Sequence, residues 1–369
     1  MTINPDWFAY VFLFVSCLYF FLIFLVYIGL SKLAKPEKKY TLPVSIVIAA
    51  RNEENRILPG LQSLSNLDYP KEKYEIIFVD DDSEDNTAQI IESYCQQNPN
   101  WKLIRLQKKS EALRGKKNAL LNGIKQAKGE LIFTTDADCR VPPGWLRKMV
   151  NYFKPGVSMV LGYSPLVHSS KFYFRLLQFD NLFSVIVSAA STKLGYPFTS
   201  VGRNLAYRID AYDDVGGFHS LSKYRSGDDI HLTSRFRYHN NGIIDFCADE
   251  EAYVPTLIPG TIKEIVQQQI RKNSKTFQLS VFSILMMLVI FIYYALLITL
   301  PIIASGWLLI WIFLLCIKLI IEFLTLIKAA HIFRMRDIIP FIPLMQLIYP
   351  VYLIFFSIIG SFQFYQWKK

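Results

Sequence analysis

The chain has 369 residues, 52% of them hydrophobic and 15% aromatic, with 40 Lys and Arg against 30 Asp and Glu for a net charge of +10. This is too apolar for an average soluble protein and too long for one small domain, so part of the chain belongs in lipid. The basic excess does not call for nucleic acid, because many of its lysines and arginines border apolar runs, where anionic headgroups and a phosphate-bearing substrate account for them.

Trp7 to Leu30 carries no charge, and roughly 20 helical residues suffice to cross a hydrocarbon core of about 30 Å. Met1 to Asp6 holds no Lys or Arg, which predicts an uncleaved anchor and not a signal peptide. Lys32, Lys35, Lys38 and Lys39 follow at once, and the positive-inside rule places the chain beyond them in the cytosol. Two more uncharged stretches, Thr276 to Ile317 and Ile338 to Trp367, lie near the end. The first is long enough for two passes turning at Pro301, Ser305 and Gly306; the second is interrupted by Pro340, Pro343 and Pro350. Four membrane segments are expected, with residues from about 40 to 275 sharing the cytosol, since Arg271, Lys272 and Lys275 flank the second anchor.

Between the anchors, β-branched runs alternate with helix-like segments: VSIVIAA (44–50), YEIIFVD (74–80), WKLIRL (101–106) and ELIFTTD (130–136). Asn55 to Ser65 carries leucines at helical spacing, and 86–97 opens on a capping-type Asn86. The alternation predicts an α/β domain with a mostly parallel sheet covered on both faces. The organisation expected is an anchor (1–31), a basic linker (32–43), the α/β domain (44–257), an amphipathic interfacial helix (258–275) and a C-terminal membrane region (276–369) of about three segments. Five cysteines without C-x-x-C spacing indicate neither a disulfide framework nor a zinc site.

Polar clusters follow three of the strands, and open α/β sheets bind ligands beyond their strands' carboxyl ends. Asp136 and Asp138 flank one residue, so a turn can aim one carboxylate at a cation and hold the other behind it; hard oxygen ligands suit Mg²⁺ or Mn²⁺. A solvated loop or helix cap is the plain alternative. Asp80, Asp81 and Asp82 repel phosphate and suit hydroxyl or N–H donors such as a ribose or base edge, unless they are the acidic start of the next helix. RGKKNAL (114–120) supplies cations without P-loop spacing and reads equally well as a solvated basic turn. SGDDIHL (226–232) offers a general base or simply first-turn acids, with His231 a bystander. KEIVQQQIRKNSK (263–275) is a basic amphipathic stretch in which Gln268 and Arg271 are candidates for the site.

In order, VSIVIAARNEE, FVDDDSEDNT, GKKNAL, TTDADC, GDDIHL and QQIRK resemble the signature set of membrane-bound family 2 glycosyltransferases, the group of cellulose, chitin and hyaluronan synthases and ceramide glucosyltransferase. The resemblance spans about 44 to 272 and implies a GT-A fold and inverting transfer from a nucleotide-diphosphate sugar, UDP-sugar being favoured. It implies that Ala49, Arg51, Asn52 and Glu53 line the nucleotide pocket, with Asp81 on the uracil and Asp80 beside it. Lys116 would lie on the donor side, Asp138 would bind the metal and Asp136 would face the donor sugar or ribose. Asp229 matches the general base, and Asp228 replaces the usual Glu of the acidic pair. Gln268 and Arg271 match Q-x-x-R, but Lys272 stands where the family has Trp. That Trp helps hold a polymer end in processive synthases, so single transfer to a membrane lipid or lipid-linked acceptor is favoured, and a lysine there suggests an anionic acceptor. The processive polysaccharide synthase is the runner-up. Outside the class stand a nucleotidyltransferase and an inactive membrane scaffold; the sequence does not say whether a protein partner is needed.

Overall fold

The computed structural model describes residues 5–107, 115–221, 227–238, 242–274 and 280–362. Arg114, Ser226, Lys275 and residues 363–369, each part of a stretch singled out above, lie outside the described residues. In chain order the elements are α1 (Pro5–Ser31), β1 (Val44–Ala50), α2 (Leu58–Ser65), β2 (Tyr74–Asp80), α3 (Thr87–Gln97), β3 (Trp101–Arg105), α4 (Lys116–Ile124), β4 (Leu131–Thr134), α5 (Trp145–Val150) and β5 (Val157–Gly162). They continue with α6 (Phe174–Lys193), β6 (Leu205–Arg208), α7 (Ile209–Asp214), α8 (Asp228–Tyr238), β7 (Ile243–Cys247), α9 (Ile262–Asn273), α10 (Val281–Ile303), α11 (Leu308–Ile332) and α12 (Ile342–Ser361). The chain divides into two compact units: one holds 32–167 and 187–257, the other the residues up to 31, 168–186 and those from 258 on.

The first unit is built on a seven-stranded sheet in the order β3-β2-β1-β4-β6-β5-β7. β3, β2, β1 and β4 run parallel, β6 is antiparallel to both β4 and β5, and β7 is parallel to β5. β1 and β2 are buried almost throughout, as near-continuous apolar runs covered on both faces should be. Against the expected spans, β3 ends at Arg105 and β4 covers only 131–134, because its ladder with β6 stops at the Thr134–Leu205 pair. Asp136 therefore stands past the strand, in a turn. Helix α2 begins at Leu58, not Asn55, since Glu53 O closes a turn onto the Arg56 and Ile57 amides and Pro59 sits in the first helical turn. Asn86 does not cap α3 with its side chain; Asp85 Oδ1 accepts from Thr87 N (3.0 Å) instead.

Among the described residues, the second unit holds four helices long and apolar enough to cross a membrane, over Asp6–Ser31, Val281–Ile303, Ser305–Ile332 and Arg336–Ser361. The third span reaches well past Ile317, because Lys318 and Glu322 pair inside it (3.0 Å) and are both buried. Two helix-interior prolines are accommodated from α11. Pro301 frees the carbonyl of Leu297, which accepts from Trp311 Nε1 (2.9 Å), and Pro350 frees that of Gln346, which accepts from Lys318 Nζ (3.1 Å). Pro301 thus lies within α10, and the chain turns at Ser305–Trp307. The amphipathic helix is shorter than 258–275: α9 starts after Thr261, whose hydroxyl accepts from Glu264 N (3.2 Å) while Glu264 Oε2 accepts from Gly260 N (2.8 Å), a reciprocal cap.

Candidate active site

The polar residues after β1 and β2 interlock. Asn52 and Asp82 both take the left-handed conformation, with φ of 53° and 62°, which short polar side chains tolerate. Asn52 N donates to Ser83 Oγ (3.1 Å) and Asn52 Oδ1 accepts from Glu84 N (2.9 Å); Glu53 N donates to Thr87 Oγ1 (2.7 Å). Arg51 and Asn52 remain exposed, while Ala49 is the one residue of β1 that is not fully buried. Asp81 N donates to Ala50 O (2.9 Å), which continues the β1–β2 ladder into the rim. Asp80 is 5% exposed; its Oδ2 accepts from Ser83 N (3.3 Å), and its Oδ1 is buried without a partner among the described residues. A buried acceptor left unmatched costs about 1–3 kcal/mol, and a ligand hydroxyl or N–H donor would satisfy it.

Across the rim, Cys139 N closes the Asp136–Cys139 turn on Asp136 O (3.1 Å). The turn rests on α2 at Gly60, where a Cβ would stand 2.7 Å from Ala137 O and 2.9 Å from Cys139 O, so only glycine fits. The Asp136 and Asp138 carboxylates and the Cys139 thiol have ligand atoms within 4.8 Å of one another. Burial, with Asp136 and Asp138 adding to it and Arg203 opposing, pushes the Cys139 thiol up to about 12. The two carboxylates are a hard oxygen set that fits Mg²⁺ or Mn²⁺, cations that a soft sulfur suits poorly.

Lys116, at the start of α4, is ion-paired to Asp136. Burial alone would lower its pKa, but Asp136 above all, then Asp228 and Asp229, outweigh burial and raise it. The lysine stays charged, and those three acids surround it. Gly115, with φ of 62°, precedes it, and a Cβ there would lie 4.0 Å from Asp81 Oδ2, which puts the start of α4 beside both acidic clusters.

Asp228 and Asp229 open α8. Asp229 accepts from its helix neighbour Ile230 N (2.9 Å) through Oδ1 and from Gly202 N (3.0 Å) through Oδ2. Gly202 O in turn accepts from Thr134 Oγ1 (2.8 Å) at the end of β4. Thr233 Oγ1, one turn on from Asp229, bonds Asp229 O and Ser200 Oγ, both at 2.9 Å. The candidate base is thus tied to the strand that leads into Asp136. Beside Gly202, buried Asn204 accepts from Trp145 Nε1 (2.9 Å) and donates to Tyr163 O (2.7 Å) and Ala252 O (2.9 Å).

The structure brings Asp81, Lys116, Asp136, Asp228 and Asp229 to one rim, with Asp80 beneath Asp81 and Asp138 two residues from Asp136. Gln268 and Arg271 are exposed on α9, in the other compact unit. Lys272 is committed there: its Nζ meets Asp180 Oδ2 (2.8 Å) and Ser184 Oγ (2.7 Å), with Tyr349 on Asp180 Oδ1 (2.9 Å). The expectation that Lys272 seeks an anionic acceptor is corrected, since its charge is already balanced. Sequence reasoning missed Gly60, Thr134, Gly202, Arg203 and Asn204. Gly60 inside a helical pattern was a visible signal, and Gly202, Arg203 and Asn204 fall in SVGRNLAYR (200–208), a polar stretch to which the sequence assigned no role.

A mostly parallel mixed sheet with a carboxylate turn past its fourth strand and acids past its second is the GT-A arrangement. A family profile described as glycosyl transferase family 2 matches residues 45–216, and one described as glycosyl transferase family group 2 matches 131–358, more than half the chain. The chain belongs to the family 2 glycosyltransferases. It is 39% identical over 110 residues, 30% of its length, to the beta-monoglucosyldiacylglycerol synthase of a Synechocystis strain. It is 31% identical over 206 residues, 55% of its length, to the poly-beta-1,6-N-acetyl-D-glucosamine synthase of a Staphylococcus epidermidis strain. It covers only 22% and 48% of those two relatives' own lengths. Among solved structures it resembles the mannosyltransferase PcManGT from Pyrobaculum calidifontis in complex with GDP-Man and Mn²⁺, with a TM-score of 0.60, 17% identity and 97% of each chain covered, a likeness of fold.

Proposed function

We propose that the protein transfers one sugar, with inversion, from a nucleotide-diphosphate sugar, UDP-sugar being favoured, to a membrane lipid or lipid-linked acceptor in cell-envelope glycan or glycolipid synthesis. The observation that carries this is the meeting of Asp229 with the Lys116–Asp136 pair, which sets a candidate base beside a candidate metal turn. Asp229 takes the proton of the acceptor hydroxyl as that oxygen attacks the anomeric carbon from the face opposite the diphosphate. Gly202 N and Ile230 N hold the carboxylate still during the transfer. Asp136 and Asp138 would hold a divalent cation, which when bound neutralises charge gathering on the leaving diphosphate. Lys116 orients Asp136, Asp80 and Asp81 receive donors of the nucleoside beside Ala49, Arg51, Asn52 and Glu53, and Gln268 and Arg271 assist donor binding as the resemblance implies.

Four membrane-length helices and the glucosyldiacylglycerol synthase relative favour a lipid acceptor; the poly-N-acetylglucosamine synthase relative favours the processive reading. Membranes incubated with a panel of labelled UDP- and GDP-sugars and then lipid-extracted should yield a lipid carrying one sugar. A ladder of long products from donor alone would restore the polysaccharide synthase, and no transfer from any donor would refute the enzyme reading. The catalytic unit is proposed to face the cytosol: a cysteine replacing exposed Gln96 should resist impermeant maleimide added outside intact cells, and labelling there would reverse the topology.

A further inference from the structure

The described rim is dominated by carboxylates, yet a diphosphate donor, and any phosphorylated acceptor, arrives carrying negative charge. Cations must meet it, and those near the rim are mostly engaged. Lys116 is paired with Asp136, and Lys117 donates to Leu221 O (3.2 Å). Arg203 differs. Its backbone lies between Gly202, which is bonded to both Asp229 and Thr134, and buried Asn204, which is bonded to Trp145, Tyr163 and Ala252. Its Nη1 donates to Thr256 Oγ1 (2.7 Å), and Thr256 is itself fixed through Pro165 O (2.9 Å) and Val167 N (2.9 Å). The remaining N–H groups of the guanidinium have no partner among the described residues, and the side chain is only part-buried. A tethered guanidinium with most of its fork open is suited to phosphate oxygens, which it can grip through two parallel N–H bonds.

We infer that Arg203 is a phosphate-binding residue of this site, set next to the candidate base by Gly202 and braced by Thr256. The inference rests on the glycosyltransferase reading and deepens it. Two phosphates have the required chemistry, the diphosphate of the donor and an acidic group on the acceptor. A residue kept only to hold Thr256 would need a single donor and no charge. Arg203→Gln keeps an amide able to reach Thr256 and removes the charge, whereas Arg203→Lys keeps the charge without the fork.

The test uses the full chain in detergent. UDP and GDP binding in Mn²⁺ is measured by calorimetry, and turnover is measured with two acceptor probes, a polyprenyl phosphate and diacylglycerol. If the donor diphosphate is the ligand, Arg203→Gln weakens nucleoside diphosphate binding at least tenfold and Arg203→Lys less. If the acceptor is the source, binding stays within twofold and KM rises at least tenfold for polyprenyl phosphate but not for diacylglycerol. The inference is overturned if every parameter of Arg203→Gln stays within twofold of wild type, or if Lys and Gln variants fall equally. Thr256→Val guards against misfolding: it keeps the guanidinium, so it should lose less than Arg203→Gln, and an equal loss would mark a structural role. Wild type that neither binds UDP or GDP nor glycosylates either lipid would instead sink the glycosyltransferase reading itself.

Discussion

Replacing Asp229 with Asn separates chemistry from architecture. The carboxylate accepts two backbone N–H bonds, from Gly202 (3.0 Å) and Ile230 (2.9 Å). An amide keeps one acceptor oxygen and turns its NH₂ toward the other N–H, so one charged hydrogen bond of about 1.5–3 kcal/mol is lost locally. That loss is confined to the first turn of α8, which Thr233 still ties to Ser200. Loss of the base is larger in its effect on rate: turnover should fall about 100- to 10,000-fold, or roughly 2.7–5.4 kcal/mol on the barrier at about 1.36 kcal/mol per decade. Single-turnover transfer from a labelled sugar nucleotide reads the loss of rate, and calorimetric UDP binding in Mn²⁺ reads donor affinity. Turnover should collapse while affinity stays within about threefold of wild type. Turnover within tenfold of wild type, or affinity falling in step with it, would refute the assignment of Asp229 as base.

Asp138→Ala should do the reverse, weakening UDP binding in Mn²⁺ toward its metal-free value; a donor affinity that remains Mn²⁺-dependent would move the cation elsewhere. Lys318→Met should destabilise the helical unit by about 3–5 kcal/mol, because it leaves Glu322 buried without its cation and the Gln346 carbonyl without its donor. Adding Glu322→Leu should recover part of that loss in a detergent melt, and a double variant worse than the single would contradict this account. Burial, the largest single influence, disfavours Asp85 as an anion, but its bonds from Thr87 and from Glu54 N together outweigh it and hold the pKa below the ordinary value. Its contribution is therefore present above about pH 4 and lost as pH falls through the folded pKa. Asp85→Ala should cost about 0.5–2 kcal/mol at neutral pH and flatten the acid limb of the stability curve, which unfolding measured from neutral to acidic pH would show.

The sequence by itself determined what depends on neighbours along the chain. β1 and β2 were legible to the residue, because an apolar run that ends in turn-forming acids can only be a covered strand. The membrane-length helices were legible for the same reason, since length and absence of charge are local properties, and the ordered acidic motifs announced the family. Tertiary structure decided who meets whom. Nothing near Thr134 or Gly202 in sequence says that they would join β4 to Asp229, for that bond closes across dozens of residues and through an antiparallel strand the alternation did not reveal. Lys272 looked like an unpaired cation until Asp180, far away in the chain, balanced it. Lys318 and Glu322 looked like the end of a membrane span until Gln346, on another helix, supplied the carbonyl, freed by Pro350, that makes a buried lysine tolerable. Hydrophobic periodicity is written residue by residue, whereas the partner that satisfies a buried charge or carbonyl exists only once the chain has folded back on itself.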